Sequence, residues 1–509
     1  PESAGSVDGT GAAEAQVAAF LGTITSADMG LVGEQVICAK PDEWSYRRLV
    51  MHCAALAQAA GGVHGFVLGS ELVGLTRVRG AAGYPMVDGL VSLAGDVETM
   101  LPGAKLTYAA DWTEYGAHVR NGGQEISFPL DPLWASPAID AISIDFYAPL
   151  SDWRDSSSHA DLAIARGPSD VAYLRSRLNS GEAYDWYYAG PGWREAQQRL
   201  PITDGAYGKP WVFRPKDLWN WWSQPHVARS AGVETTATAY VPGSKPIWLT
   251  EIGVPAIDKG GNGPSFFPDP KSADSGRPYF SSGARDDLVQ HRALEAILSG
   301  FDPALPGFEA SRNPVHPTSG LRMVDPACVF VWSWDARPFP AFPEVTEAWA
   351  DGANWQTGHW INGRIEGAPV DQLIRAVLAD LGVPAADEIV VDGFVDGYVL
   401  DRPMSARQAL EPLAQAFGFD AIMSGGRLVF RGRGGKVARV LGSDDCLPGR
   451  DGSPYQLRRA QESELPRELR LGFSDGDAAY RRAAASSRRL AGAARRESAV
   501  ETAIVTRVA

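Results

Sequence analysis

PIWLTEIGVPAIDKG, residues 246–260, reads as a buried strand that stops on an acid. Residues 246–250 are apolar or β-branched, Glu251 follows, and Gly253 and Pro255 break the run. HGFVLGSEL, residues 64–72, repeats the pattern: Phe66-Val67-Leu68 leads through Gly69-Ser70 to Glu71. Three more strand-like runs end on polar or aromatic residues. Residues 105–110 end at Asp111-Trp112, residues 141–144 at Asp145-Phe146-Tyr147, and residues 328–331 at Trp332-Ser333-Trp334-Asp335. Residues 12–20, 43–60, 84–101 and 286–299 have helical composition. Near-continuous apolar strands alternating with helices predict an α/β fold with a parallel sheet covered by helices. Chemistry-bearing residues at the C-terminal strand ends favour a (β/α)8 barrel over a doubly wound sheet. No glycine-rich phosphate loop follows any strand, which weakens a dinucleotide-binding alternative.

Length and charge bound the function. A chain of 509 residues holds two or three domains at roughly 100–200 residues each. It carries 61 acidic against 47 basic residues, net −14, which argues against a nucleic-acid partner, since phosphates need a basic surface. The 16 tryptophans offer either platforms for sugar rings or core filler. Cys38, Cys53, Cys328 and Cys446 form no CxxC and have no histidine at zinc spacing, so free thiols are expected, with no metal and no cofactor. No apolar run is long enough to span a membrane. Residues 1–16 lack the basic and apolar regions of a signal peptide. With no initiator Met, the chain is expected to begin inside a longer polypeptide.

Two excursions interrupt the alternation. Residues 150–245, with GEAYDWYYAGPGW and KPWVFRPKDLWNWW, form an aromatic-rich insertion, either a cleft wall or a self-packed module. Residues 263–287 directly follow Glu251 and are expected to overhang its face. Every tryptophan lies at or before Trp360, and a smaller α+β domain is expected over residues 364–509 after a first domain over 1–363. There, residues 369–382 and 400–417 contain amphipathic helices, and GFDAIMSGGRLVFRG predicts a hairpin turning at Gly425-Gly426. Arginine pairs at 481–482, 488–489 and 495–496 predict a helical stripe, either a solvated face or a docking surface for an acidic partner.

Two glutamates at barrel strand ends would converge on the barrel mouth. Glycoside hydrolysis uses such a pair, one acid protonating the leaving oxygen and the other attacking the anomeric carbon or activating water. A retaining enzyme needs its carboxyls about 5–5.5 Å apart. Asp111 and Asp145 are either sugar ligands or partners of an arginine in the barrel.

The succession of an end-of-strand Glu, DW, DFY, TEIG and WSW resembles the clan of retaining (β/α)8 glycoside hydrolases with catalytic glutamates after strands 4 and 7. Counting back from WSW as strand 8 makes TEIG strand 7, DFY strand 6, DW strand 5 and GSE strand 4. The resemblance implies Glu71 as acid/base and Glu251 as nucleophile. It implies Tyr147 as the aromatic that hydrogen-bonds the nucleophile, and Trp332 or Trp334 as the floor of the sugar subsite. Ser70 stands where the clan carries an Asn that contacts the sugar 2-hydroxyl. Trp112, Asp111 and Asp145 complete the expected substrate-binding set. No convincing strands 1 to 3 precede residue 60, where only residues 35–39 are strand-like, so the barrel is either completed upstream or open.

A closer resemblance rests on LTRVRG, YAADWTEYG, PLDPLWASPAIDAISIDFYAPLSDWRD, GEAYDWYY, PITDGAYGKPWVFRPKDLWNWW, KPIWLTEIGVPAIDKG, DPKSADS and WSWDARPFPAFPE. Together these resemble the TIM-barrel-like domain of the large tail protein of gene transfer agents and related phages, over roughly residues 5–363. EPLAQAFGFDAIMSGGRLVF and ELRLGFSDGDAAYRRA resemble the phage-tail, hub-like domain that follows it. The resemblance implies a tail-tip or baseplate host-specificity protein, made in the bacterial cytoplasm and assembled into a virion-like particle. It implies other tail proteins as partners, possible homo-oligomers in a hub, and a cell-envelope or peptidoglycan glycan as ligand. Three functions stay open at this point: a retaining glycosidase, a glycan-binding module without turnover, and a purely structural tail module.

Overall fold

The computed structural model describes residues 5–267, 269, 275–364, 367–386, 388–434, 439–447, 452, 457–459 and 461–507. Residues 1–4 of the expected N-terminal loop and most of DPKSADS lie outside them. The chain divides into two compact units, Pro1–Trp334 with Val345–Trp360, and Asp335–Glu344 with Ile361–Ala509.

The first unit is built on five parallel strands, β1 (Gly65–Ser70), β2 (Lys105–Asp111), β3 (Ile142–Phe146), β4 (Ile247–Ile252) and β5 (Val324–Val331), adjacent in chain order. Every residue of the central strand β3 is buried, as expected for a strand covered on both faces. Helices α1 (Gly11–Leu21), α2 (Tyr46–Ala59), α3 (Pro85–Met100) and α4 (Asp287–Phe301) cover the sheet and its flanks. In α3 a proline opens the first turn, and Met86, Leu90, Leu93, Val97 and Met100 recur at helical spacing as its buried stripe. Asp286 caps α4, accepting from the Val289 N–H at 2.9 Å.

The expected eight-stranded barrel does not close among the described residues; the parallel sheet has five strands and two edges. Residues 35–38 do form a strand, but it pairs antiparallel with Met29–Val32 in a separate hairpin. The hairpin partner is only two residues away, so the local pairing carries little loop entropy, and the segment does not extend the parallel sheet.

The insertion packs into the first unit and does not form a separate module. Its strand Val227–Ser230 pairs with Val233–Ala237 and with Glu125–Ser127, so residues from both sides of β3 share one antiparallel sheet. Trp211, Trp221 and Trp222 are buried with Tyr115, Phe128 and Tyr240 in the core of the first unit.

In the second unit α5 (Val370–Asp380) and α6 (Ala406–Phe417) pack their apolar faces with Phe419, Phe430 and Ile504. Ser405 and Gln408 cap α6 reciprocally, at 3.3 and 3.0 Å. β6 (Phe419–Ser424) and β7 (Arg427–Gly432) form the expected hairpin, with positive φ at both Gly425 and Gly426. The arginine pairs do not lie on a helix. β8 (Pro466–Asp475) pairs antiparallel with β9 (Arg481–Arg488) and parallel with β10 (Arg496–Thr506). Arg488 meets Glu468 and Arg482 meets Glu501, both across strands. An Ala/Ser background commits to neither period, so the long non-local ladder decided the conformation.

Candidate functional site

The register of the parallel sheet lines up the acids. Asp111 pairs with Asp145, and Asp145 with Glu251, on adjacent strands. Glu71 follows directly on β1, where its N–H donates to the Ala109 carbonyl at 2.8 Å. Four neighbouring strands thus each deliver a carboxylate at the same end of the sheet, the position from which a rigid scaffold aims side chains at a ligand.

A cleft of about 840 Å3 opens there. Glu71, Asp111, Trp112, Tyr147, Glu251 and Trp332 all line it. Ser265, Phe267 and Asp269, from the loop after Glu251, also line it, so that loop does overhang the face. Trp334 does not reach the lining and is 61% exposed. Among the described residues the insertion supplies none of the cleft wall; its buried aromatics Trp211, Trp221, Trp222 and Tyr240 join the core of the first unit.

Tyr147 donates its hydroxyl to Glu251 Oε2 at 2.7 Å. Burial, and secondarily the Asp145 carboxylate, push the Glu251 carboxyl up to about 7, and the tyrosine hydrogen bond offsets only part of this. The Tyr147 hydroxyl is itself raised by burial and by the negative charge of Glu251, with a smaller contribution from Glu71.

Asp145 is fully buried beneath the cleft and does not line it. Burial raises it to about 6, against the hydroxyls of Thr250 and Ser70. Ser70 Oγ donates to Asp145 Oδ2 at 2.9 Å, so its hydroxyl is engaged inside the sheet. Among the described residues neither Asp111 nor Asp145 pairs with an arginine: Asp111 Oδ1 accepts from the Thr113 N–H at 2.7 Å, and Asp145 from Ser70.

Two supporting groups were not singled out in the sequence. Glu114 is buried and accepts from Thr76, from the Tyr108 hydroxyl at 2.9 Å and from the Asp111 N–H at 3.2 Å. Tyr108 in turn accepts from the Leu72 N–H at 2.7 Å. This network ties the turn after Glu71 to the turn after Asp111, and the spacing of Asp111 and Glu114 in DWTE was its one visible trace. His359 lies far along the chain, yet it stacks on Phe267 at 5.2 Å and meets Tyr147 edge-on at 5.9 Å.

Both motif glycines are required by close approach. A Cβ on Gly69 would fall 1.9 Å from the Tyr46 hydroxyl, which donates to the Leu68 carbonyl. A Cβ on Gly253 would lie 2.7 Å from the Trp332 carbonyl and within 3.3 Å of His359 and Tyr147. Gly253→Ala is expected to cost about 1–3 kcal/mol, because the obstacle is backbone and the neighbouring rings are packed. The shift in urea midpoint measures it, and a midpoint equal to wild type would refute the close approach.

A parallel sheet with helical cover, gathering acids and aromatics in one cleft at its C-terminal strand ends, defines an α/β protein of the TIM-barrel-like class. More narrowly, the chain belongs to the family described as the GTA TIM-barrel-like domain, which matches residues 44–343, more than half of it. Residues 405–509 match a second family, described as a putative phage tail protein. Among solved structures the chain is similar to a chain of "Virion of native gene transfer agent (GTA) particle", at 29% identity and a TM-score of 0.29. That match covers 31% of this chain and 36% of the other, little more than a third of its length. No curated protein matches.

Proposed function

We propose that the cleft binds a cell-envelope glycan and hydrolyses it by the retaining two-glutamate route. The protein would act at the tail tip of a gene transfer agent or phage-like particle. The observation that carries this reading is the meeting of Glu71 and Glu251 in one cleft, with the Tyr147 hydroxyl on Glu251 and Trp332 in the wall. Glu71 donates a proton to the glycosidic oxygen as Glu251 attacks the anomeric carbon and the C–O bond breaks. Water, deprotonated by Glu71, then displaces Glu251. Residues 1–363 form the glycan-facing domain on this reading. Residues 364–509 form the hub-like domain that meets other tail proteins or further copies of the chain.

Ser70 supports a second reading, glycan binding without turnover. Its hydroxyl is held by Asp145, so the 2-hydroxyl contact that strengthens in a glycosidase transition state has no donor from this position.

Purified protein presented with cell-wall and envelope glycans separates the two. Turnover abolished by Glu71→Gln supports hydrolysis; binding with no turnover supports the second reading; neither would refute both. Where turnover occurs, kcat/KM is expected to rise as pH passes about 7, because attack requires ionised Glu251. A profile already flat from pH 5 to 8 would mean that Glu251 is ionised well below pH 7 and would contradict its raised carboxyl.

A further inference from the structure

Beside the main cleft lies a smaller cavity of about 150 Å3, and the two share Trp112 and Thr113 in their walls. Its floor is aromatic and buried: Tyr115 and Trp221 are each 2% exposed and meet edge to face at 4.7 Å. Trp211 and Phe213 close the sides. Two donors in this lining have no acceptor among the described residues. The Trp221 indole Nε1 and the Arg214 Nε are both shielded from solvent and make no hydrogen bond. Gly116 also lines the cavity, and a Cβ placed on it would sit 3.7 Å from that indole nitrogen, so the N–H lies at the cavity's edge. A buried donor without a partner costs about 1–3 kcal/mol, so two in one small space point to an acceptor that the chain does not supply.

The electrostatics narrow the acceptor. Arg214 already faces the buried carboxylate of Asp217 at 3.5 Å, and Asp217 is held by Asn220 at 2.9 Å. An incoming carboxylate would meet Asp217 at close quarters in a low-dielectric wall. A neutral carbonyl would not. The aromatic sides suit a small apolar substituent beside that carbonyl.

We infer that this compartment receives the acyl group of an N-acetylated sugar, its carbonyl oxygen accepting from Trp221 Nε1 and Arg214 Nε and its methyl lying against the aromatic walls. The inference rests on the glycan reading of the cleft and specifies the substrate class as an N-acetylhexosamine polymer. Trp112 and Thr113 belong to both linings, so the compartment adjoins the cleft; on this inference the sugar occupies the cleft and its 2-substituent enters the side compartment.

Binding is measured on the full chain carrying Glu251→Gln, so that no ligand is consumed. The probes are chitotetraose, neutral cellotetraose as the non-acetylated control, and tetragalacturonate as the carboxylate control. Chitotetraose is expected to bind at least about ten-fold tighter than either, and Trp221→Phe to remove most of that preference, as loss of one hydrogen bond would. Because Trp221 is buried, a second measurement uses the intact ring. The indole N–H resonance of Trp221, assigned by its loss in Trp221→Phe, is expected to move with N-acetylglucosamine and not with glucose. Equal binding of chitotetraose and cellotetraose overturns the acyl pocket and leaves the glycan reading standing. So does a Trp221 resonance unmoved while chitotetraose binds. Preference for tetragalacturonate overturns the neutral-acceptor assignment. Failure of all three to bind overturns the acyl pocket; failure of a cell-wall glycan screen as well removes the glycan reading beneath it.

Discussion

Glu251→Gln is expected to abolish turnover and at the same time to stabilise the protein above pH 7. On the proposed retaining mechanism Glu251 would form the bond that splits the reaction in two, and its loss is expected to lower kcat by about 10^3-fold or more while glycan binding survives. The stability effect follows from the raised carboxyl. In the unfolded chain a glutamate loses its proton near 4.5; in the fold Glu251 keeps it to about 7. Between those values the folded state holds the extra proton, so stability falls as pH rises through the window. Above about 7 the fold carries the cost of a partly buried carboxylate beside Asp145. Glutamine carries no charge there, and its amide oxygen can still accept from Tyr147. The expected gain is about 2 kcal/mol at pH 8 and close to zero below pH 4.5. Urea unfolding at pH 4.5 and pH 8 measures it. A wild type as stable as the variant at pH 8 would contradict the burial argument whatever the protein's activity.

Asp131→Ala is expected to destabilise the first unit by about 3–5 kcal/mol, the cost of removing one member of a buried polar pair. Asp131 is 1% exposed, and both its oxygens lie 2.9–3.0 Å from His226 Nδ1. The other ring nitrogen faces the Trp221 carbonyl at 2.8 Å. The imidazole is sandwiched between Phe128 and Tyr240, with ring centroids at 4.5 and 4.1 Å. Alanine would leave His226 Nδ1 and the Thr238 hydroxyl without their acceptor in an aromatic core that water enters only at a cost. Because Asp131 precedes β3 and His226 lies in the insertion, this pair fastens the insertion to the sheet. Trp211 and Trp221 flank His226 at 5.6 and 5.0 Å, so tryptophan fluorescence reports its loss directly. A loss below about 1 kcal/mol would mean that the stacked rings alone hold the insertion.

The parallel sheet was readable because its strands are short, continuous and apolar, and because each ends on an acid or an aromatic. Residues 246–252 and 65–71 needed no partner to reveal this. The helices of the second unit, and the turn at Gly425-Gly426, were readable for the same reason, since a helical stripe and a two-residue turn are local. The arginine pairs were not. Seven-residue spacing on alanine and serine fits a helix on paper, and only the ladder to β8 excludes it.

Sequence by itself determined which residues line the cleft: Glu71, Asp111, Tyr147, Glu251 and Trp332 all reach it. It also set the parallel order that brings them to one end of the sheet. Tertiary structure alone decided that Ser70 and Asp145 turn to each other beneath the cleft, and that Trp334 stays out of its lining. It decided that the insertion builds a side compartment instead of the main wall. Strand periodicity is a property of neighbours along the chain. Burial, the reach of a hydroxyl and the proton affinity of Glu251 are set by atoms a hundred residues away, and those distances exist only in the folded protein.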